Sequence, residues 1–350
     1  MRFLKTLAIA GAATTLAACS TVTSTTASDN AQEQPPVVES FSPLTGLPES
    51  VPTPVLIVKL DNTRSAQPHA GLKDADVVYV EEVEYGITRL AAVFSSTIPV
   101  RIGPTRSARI TDIDLTAQYG SPAFAFSGVQ RKMWPAINDS TVVDVSPNKY
   151  ASAYFRDHDR RIPYNLFLNG PKVLAWAAEK GVSDDKNIGF VFSPEIPDGG
   201  TTNTGAKMKW SEASAEFTYV PASGLYNVAL NGINATAEES TSQQQAATVV
   251  IQNVVQTQSK YWDKGGGNTP HAATIGSGTA IVLRDGKSYN VTWNRPTADA
   301  GTTFTMANGS PMPFKPGQQW VVLLNSKTPA TLLPLPSPAP STASKAPAAI

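Results

Sequence analysis

The chain reads as an α/β or α+β protein: a mixed-sheet N-terminal domain with helices, followed by a smaller antiparallel, β-rich C-terminal domain. Three observations lead there. The first half mixes short apolar runs with two helical stretches, Ile110–Tyr119 and Pro171–Lys180, the pattern of strands layered with helices. The second half is strand-rich, and Asn231-Gly232, Asp285-Gly286 and Asn308-Gly309 punctuate it as hairpin turns. The 350 residues are 41% hydrophobic, enough to bury a core in each of two domains.

The elements follow in order. Val55-Leu56-Ile57-Val58 lies between Pro54 and the polar segment from Lys59 to Arg64, so it reads as a buried strand ending in a loop. Asp76 to Phe94 reads as a hairpin. Val77-Val78-Tyr79-Val80 and Leu90-Ala91-Ala92-Val93-Phe94 flank Tyr85-Gly86, and a two-residue turn there would set Glu82 opposite Arg89. Asp112 and Asp114 fall in the first turn of the first helix, where its dipole favours negative charge. Ala123-Phe124-Ala125-Phe126 is a further buried strand. In the second half, Thr248-Val249-Val250-Ile251, Ala280-Ile281-Val282-Leu283 and Trp320-Val321-Val322-Leu323-Leu324 are the clearest strands. The cluster Pro194, Pro197, Gly199-Gly200 and Thr201-Thr202 marks the join. The two domains thus span residues 42–193 and 205–325.

The ends carry a different signal. Arg2 and Lys5 precede an apolar stretch that closes with Leu16-Ala17-Ala18-Cys19, and Cys19 is the chain's one cysteine. A positive n-region, a brief apolar core and small residues before the cut make residues 1–18 a secretory signal peptide. The motif resembles a bacterial lipobox, in which the cysteine takes a diacylglycerol. Cys19 is therefore the expected lipidation site. It would anchor an exported protein to the outer face of the cytoplasmic membrane. A spanning helix would need about 20 apolar residues. Residues 19–41, Ser/Thr/Gln-rich with Pro35-Pro36, read as a disordered tether. Residues 326–350, rich in Pro, Ala and Ser, read as a disordered tail.

Lys+Arg and Asp+Glu stand at 28 each, and removing Arg2 and Lys5 with the leader leaves 26 against 28. Such a balance gives no field to gather nucleic acid. His69, His158 and His271 are far apart in sequence, and with Cys19 lipidated no thiol remains for a zinc site. No metal and no cofactor is expected. Enzyme templates fail as well: Ser127-Gly128 lacks the glycine two residues upstream that a nucleophile elbow needs, and Gly265-Gly266-Gly267 lacks the Lys-Ser/Thr of a phosphate loop.

The polar residues of the first block concentrate at loops. Lys59, Asp61, Asn62 and Arg64 follow the first strand; Arg89 ends the hairpin turn. Arg106, Ser107 and Arg109 precede the first helix, and Arg156, Asp157, Arg160 and Asn165 come later. Loop ends on a rigid frame are where sites form, and arginine forks suit phosphate or carboxylate. The expectation is one cleft that binds an anionic envelope ligand. Its Arg106–Arg109 segment would meet the Asn62 loop, with both arginines on one side of a helical first turn. The competing reading pairs the arginines internally with carboxylates, Glu82 with Arg89 for example. A third assigns phosphoryl or glycan transfer to the cleft.

The order of motifs is similar to that of the YerB-like family of bacterial lipoproteins, a domain of unknown function with N- and C-terminal parts. The matching stretches are Pro43-Leu44-Thr45-Gly46-Leu47-Pro48, Lys59 to Asn62, Gly71-Leu72 with Ala75-Asp76, Val83-Glu84 with Gly86-Ile87-Thr88-Arg89, and Gly103-Pro104 with Arg106-Ser107-Ala108-Arg109. Tyr154-Phe155-Arg156-Asp157 and Pro163 with Asn165-Leu166 follow. Gly276-Ser277-Gly278 through Trp293, and Pro316-Gly317 to Trp320, resemble that family's smaller C-terminal part. Tyr85 stands where the family tends to have a second glycine, and Tyr164 where it tends to have histidine. The resemblance implies a two-domain, surface-anchored protein and brings no assigned activity, ligand or catalytic residue.

Overall fold

The computed structural model describes residues 40–335. The signal peptide, Cys19 and most of the expected tether and tail lie outside the described residues. Within them the chain builds a mixed, eleven-stranded central sheet. Its first-block strands are β1 (Leu56–Asp61), β2 (Val77–Glu82), β3 (Thr88–Phe94), β4 (Ala123–Ala125) and β5 (Val143–Asp144). β3 lies antiparallel between β1 and β2, and β4 and β5 add in parallel beyond β1. On the other side, β2 pairs in parallel with the Gln319–Asn325 strand. Thr248–Val254, Gly276–Arg284, Lys287–Arg295 and Thr303–Met306 continue the sheet beyond it. Strands of both sequence blocks thus share one sheet.

Both faces of the sheet are covered, which is why β1, β2 and β3 are apolar along most of their length. On one face Leu56, Val58, Leu60, Val80 and Leu90 pack with Met208, Phe217 and Val228. Those last residues belong to a smaller antiparallel sheet built on Gly205–Lys209, Ser214–Val220 and Leu225–Leu230. The Gly170–Ala178 helix covers the same face through Val173 and Ala177. On the opposite face Ile57, Val77, Tyr79, Ala91 and Val93 pack beneath α1 (Ile110–Ala117) and Tyr119. Each fully buried Val, Leu, Ile, Phe or Met side chain among them contributes about 1.5–3 kcal/mol.

Three local expectations need correction. The β2–β3 connection is not a two-residue turn. Val83 N–H bonds to the Ile87 carbonyl, and Tyr85 and Gly86 both take positive φ (64° and 68°) inside a five-residue loop. The pairing shifts by one residue, so Arg89 faces Glu81, and Glu82 faces Thr88. A one-residue slip moves every side chain to the other face, and the Glu82–Arg89 pair is not formed. The tail begins later than Ser326. Thr331–Leu333 pairs with Gly205–Lys207 at an edge, where a proline-free stretch between Pro329 and Pro334 leaves the backbone able to bond. The tether also ends earlier, since Phe41 already bridges to Pro48.

Candidate functional site

Residues 59 and 61 of β1, 79 and 81 of β2, and 89 and 91 of β3 all point toward α1, because side chains alternate along a strand. That face is apolar at Ile57, Val77 and Val93 and becomes charged where β1 and β2 end. Asp61, Arg89 and Glu81 stand side by side across three strands. The carboxyl ends of neighbouring parallel strands are a common place for sites in sheets of this kind. The cluster is roofed by the Arg106–Arg109 segment and the start of α1.

Lys59 lies in the interior rather than on a cleft wall. It is fully buried, bonded to Glu81, and its Nζ is 2.7 Å from Asp112 Oδ1. The other carboxylate oxygen of Asp112 accepts the Arg109 N–H at 2.6 Å, which fixes the helix start. Burial, and then the nearby Asp112, push Glu81 above the ordinary carboxyl range against the pull of Lys59.

The three arginines diverge. α1 begins only at Ile110, so Arg106 sits outside the helix and does not share a helical face with Arg109. Arg106 Nε lies 2.8 Å from Asp61 Oδ2, and Asp61 Oδ1 accepts from Thr63 N–H at 2.8 Å and Thr63 Oγ1 at 2.6 Å. Arg109 places Nε and Nη2 at 2.9 and 2.7 Å from Glu84 Oε2. Burial by itself would raise Glu84, but the Arg109 and Thr269 bonds hold it below its ordinary value. Arg89 differs from both. Only 5% exposed, it donates from Nη1 to the Ser107 carbonyl at 2.6 Å, and its buried Nε has no partner. Burial, then Arg109, lower it to about 9.

Arg106, Ser107 and Arg109 line a cavity of about 300 Å³ with Glu84, Asp263 and Lys264. The last two come from the tip of the Gln256–Trp262/Asn268–Ala272 hairpin. Tyr85 Oη donates to Asp263 Oδ1 at 3.0 Å, and Asp263 also accepts from Gly265 and Gly267 N–H, tying that tip to the β2–β3 loop. Asn62 and the exposed Arg64 line a second cavity, again of about 300 Å³, on the far side of that loop. The Asn62 loop and the arginine segment therefore touch through Asp61–Arg106 but serve two cavities rather than one.

Arg156, Asp157, Arg160 and Asn165 do not join the cavity of Arg106. Arg156 Nη1 bonds to Asn165 Oδ1 at 2.7 Å. Asp157 pairs with Arg101, whose Nη2 is also 3.0 Å from Glu238 Oε1. Arg160 donates to the Ala66 and Pro68 carbonyls. This second charged network closes on itself around the Phe167 ring, 3.8 Å from the Arg101 guanidinium carbon.

Glu84, Asp112 and Thr269 were not singled out from sequence as partners of the arginines. The Arg109-to-Asp112 spacing is the available signal for one of them, since a carboxylate at the third helical position reaches back to the N-cap backbone. Thr269 and Asp263 reach the site from far along the chain and carry no local signal.

The fold and site thus define a layered α+β protein with an arginine–carboxylate cluster at one end of a mixed central sheet. Residues 44–183 match the family described as "Protein of unknown function (DUF3048) N-terminal domain", and residues 206–321 match its C-terminal domain. The chain belongs to the DUF3048 family. It is 23% identical over 292 residues to a Bacillus subtilis (strain 168) protein named "Putative lipoprotein YerB", covering 80% of this chain and 85% of that one. The crystal structure of YerB protein from Bacillus subtilis superposes with a TM-score of 0.70 at 19% identity, over 84% of this chain and all of that one. That likeness establishes a shared fold.

Proposed function

We propose that this chain is an exported lipoprotein, held through Cys19 at the outer face of the cytoplasmic membrane, whose arginine cluster binds a phosphate- or carboxylate-bearing envelope ligand. The anchoring part is supported by Leu16-Ala17-Ala18-Cys19 and by the name of the Bacillus relative. Among the described residues no helix is long and apolar enough to cross a membrane. Two acyl chains on one cysteine suffice for stable attachment, whereas a single myristoyl is marginal. Palmitate label should be incorporated by the wild type and lost in Cys19→Ala; label retained by that variant refutes the anchor.

The observation that carries the binding part is Arg89. A buried guanidinium usually meets a carboxylate, because stranding its charge is costly; this one meets a carbonyl and keeps a free Nε. An oxyanion beside Arg106 and Arg109 supplies the missing negative charge. Inorganic pyrophosphate should raise the melting temperature of the wild type, by about 2.7 kcal/mol of added stability at a hundredfold excess over Kd. The gain should be lost in Arg89→Gln. No stabilisation of the wild type, or an equal gain in the variant, refutes it.

A purely structural reading is favoured by the pairing of Arg106 with Asp61 and of Arg109 with Glu84. On that reading the cluster locks the end of the sheet, and anions leave the melting temperature unchanged.

A further inference from the structure

The Gln256–Trp262/Asn268–Ala272 hairpin pairs with no strand outside itself, and a two-stranded ribbon is marginal unless something packs on it. One side has that support. Tyr261 is buried, Ala272 N–H donates to Thr111 Oγ1 at 3.1 Å, and Gln130 Nε2 donates to the Trp262 carbonyl at 2.9 Å. The other side has none. Trp262 is 51% exposed and is the one exposed tryptophan of six. Tyr85, also exposed, lies against Gly265 and Gly267 at the same tip. Lys260 and Lys264 flank Trp262 and are exposed. Arg131 and Lys132 directly follow Gln130 and are exposed as well, while Met133 is buried. Among the described residues, no carboxylate lies within ion-pair distance of Lys260, Lys264, Arg131 or Lys132. Asp263, the carboxylate of the tip, is occupied by Tyr85 Oη and by the Gly265 and Gly267 N–H groups.

Exposed tryptophan and tyrosine among unpaired cations match one kind of surface. Both rings concentrate at the headgroup level of bilayers, where an apolar body and a polar tip are each satisfied. Each lysine or arginine close to an anionic leaflet strengthens attachment about fivefold. A stable protein interface buries about 800 Å² per partner, and lysine is depleted from the centre of such interfaces. We infer that this hairpin tip is a second membrane contact, which docks Trp262 at the headgroup level of an anionic bilayer with Lys260, Lys264, Arg131 and Lys132 beside it. The inference rests on the proposal that the chain is exported and anchored through Cys19. Twenty residues separate Cys19 from Ser40 and can span at most about 70 Å. The anchor by itself thus leaves open which face meets the membrane, and the charge of the tip selects one. Docking there would bring the arginine cavity, which Gln130 and Lys264 help to line, to the headgroup level.

The full lipidated chain, reconstituted in vesicles, reports docking through Trp262 emission, taken as the difference between wild type and Trp262→Phe. In vesicles of equal phosphatidylglycerol and phosphatidylcholine, acyl chains brominated near the headgroup should quench that emission about twofold, and high salt should reverse the quenching. Vesicles of phosphatidylcholine alone should show none. Lys260→Gln with Lys264→Gln removes two exposed, unpaired cations. At the salt concentration that halves the wild-type quenching, this variant's ratio of docked to undocked chains should be about 25-fold lower, with its melting temperature unchanged. The inference is overturned if brominated and plain anionic vesicles give equal Trp262 emission, if neutral vesicles quench as strongly as anionic ones, or if the double variant docks like the wild type. It is equally overturned if the emission follows the number of chains per vesicle at fixed lipid composition, which would make a second copy the occupant. A chain that mass spectrometry finds without diacylglycerol refutes the anchor instead; added to preformed anionic vesicles, it still shows through Trp262 whether the tip docks. Stabilisation by pyrophosphate without quenching leaves the arginine proposal standing and overturns this one.

Discussion

Lys59 and Arg89 are buried cations on the same face of the same sheet, on neighbouring strands, and their surroundings are opposite. Lys59 is met by two carboxylates, Glu81 and Asp112. Arg89 is met by one backbone carbonyl. A cation enclosed by carboxylates is already neutralised and belongs to the scaffold. A cation with no carboxylate at ion-pair distance is less completely compensated, and Arg89 reaches the Arg106–Arg109 segment through Nη1, at the Ser107 carbonyl. On the proposed function, the contrast separates the part of the cluster that holds the sheet from the part that would meet an anion.

The largest expected effect is on the Lys59 side. Lys59→Met leaves two buried carboxylates uncompensated and should cost about 3–5 kcal/mol in chemical denaturation; a loss below about 1 kcal/mol would erase the contrast. Arg106→Ala comes next. Its arginine is partly exposed and Asp61 keeps both bonds from Thr63, so the expected loss is about 1–2 kcal/mol.

A pH profile sharpens the same contrast. Glu81 has its carboxyl pushed up from 4.5 in the folded chain. The folded state then holds a proton that the unfolded state has released, so stability falls as pH rises above that ordinary value. Glu81→Gln should flatten this decline in denaturation midpoints taken between pH 4 and pH 8, and an unchanged slope would assign it to another group. The smallest effect on the free protein belongs to Arg89→Gln. One charge-assisted bond is lost and one buried, poorly partnered charge is removed, so the net change should stay within about 1 kcal/mol. A collapse of the midpoint in anion-free buffer would place Arg89 with Lys59 in the scaffold.

Much of the fold was legible because burial on both faces writes itself as apolar runs. β1, β3, α1 and the strands at 248–254, 276–284 and 319–325 all coincide with stretches picked out by pattern. The β2–β3 register was not legible, since Tyr85 adopts a left-handed conformation that its side chain disfavours and lengthens the loop. At the site, the charged residues clustered at loop ends as their positions suggested, but their division did not show. Lys59 continues a strand whose inward face is covered by α1, and no local signal reveals that cover. Arg156, Asp157 and Arg160 share residue type with the cluster, yet their partners are Asn165, Arg101 and backbone carbonyls.

The parallel pairing of β2 with Gln319–Asn325 sets an order of events on the chain's birth. Until residue 325 has emerged from the ribosome or the export channel, Val77-Val78-Tyr79-Val80 presents an apolar strand with an open side. Exposed edges of that kind recruit other strands. A fragment ending at the join near residue 205 would therefore be a sheet with a vacant slot rather than half a molecule. A finished second copy carries the Gln319–Asn325 strand that fits this slot, so the open side of β2 is the place where an exchanged dimer would form.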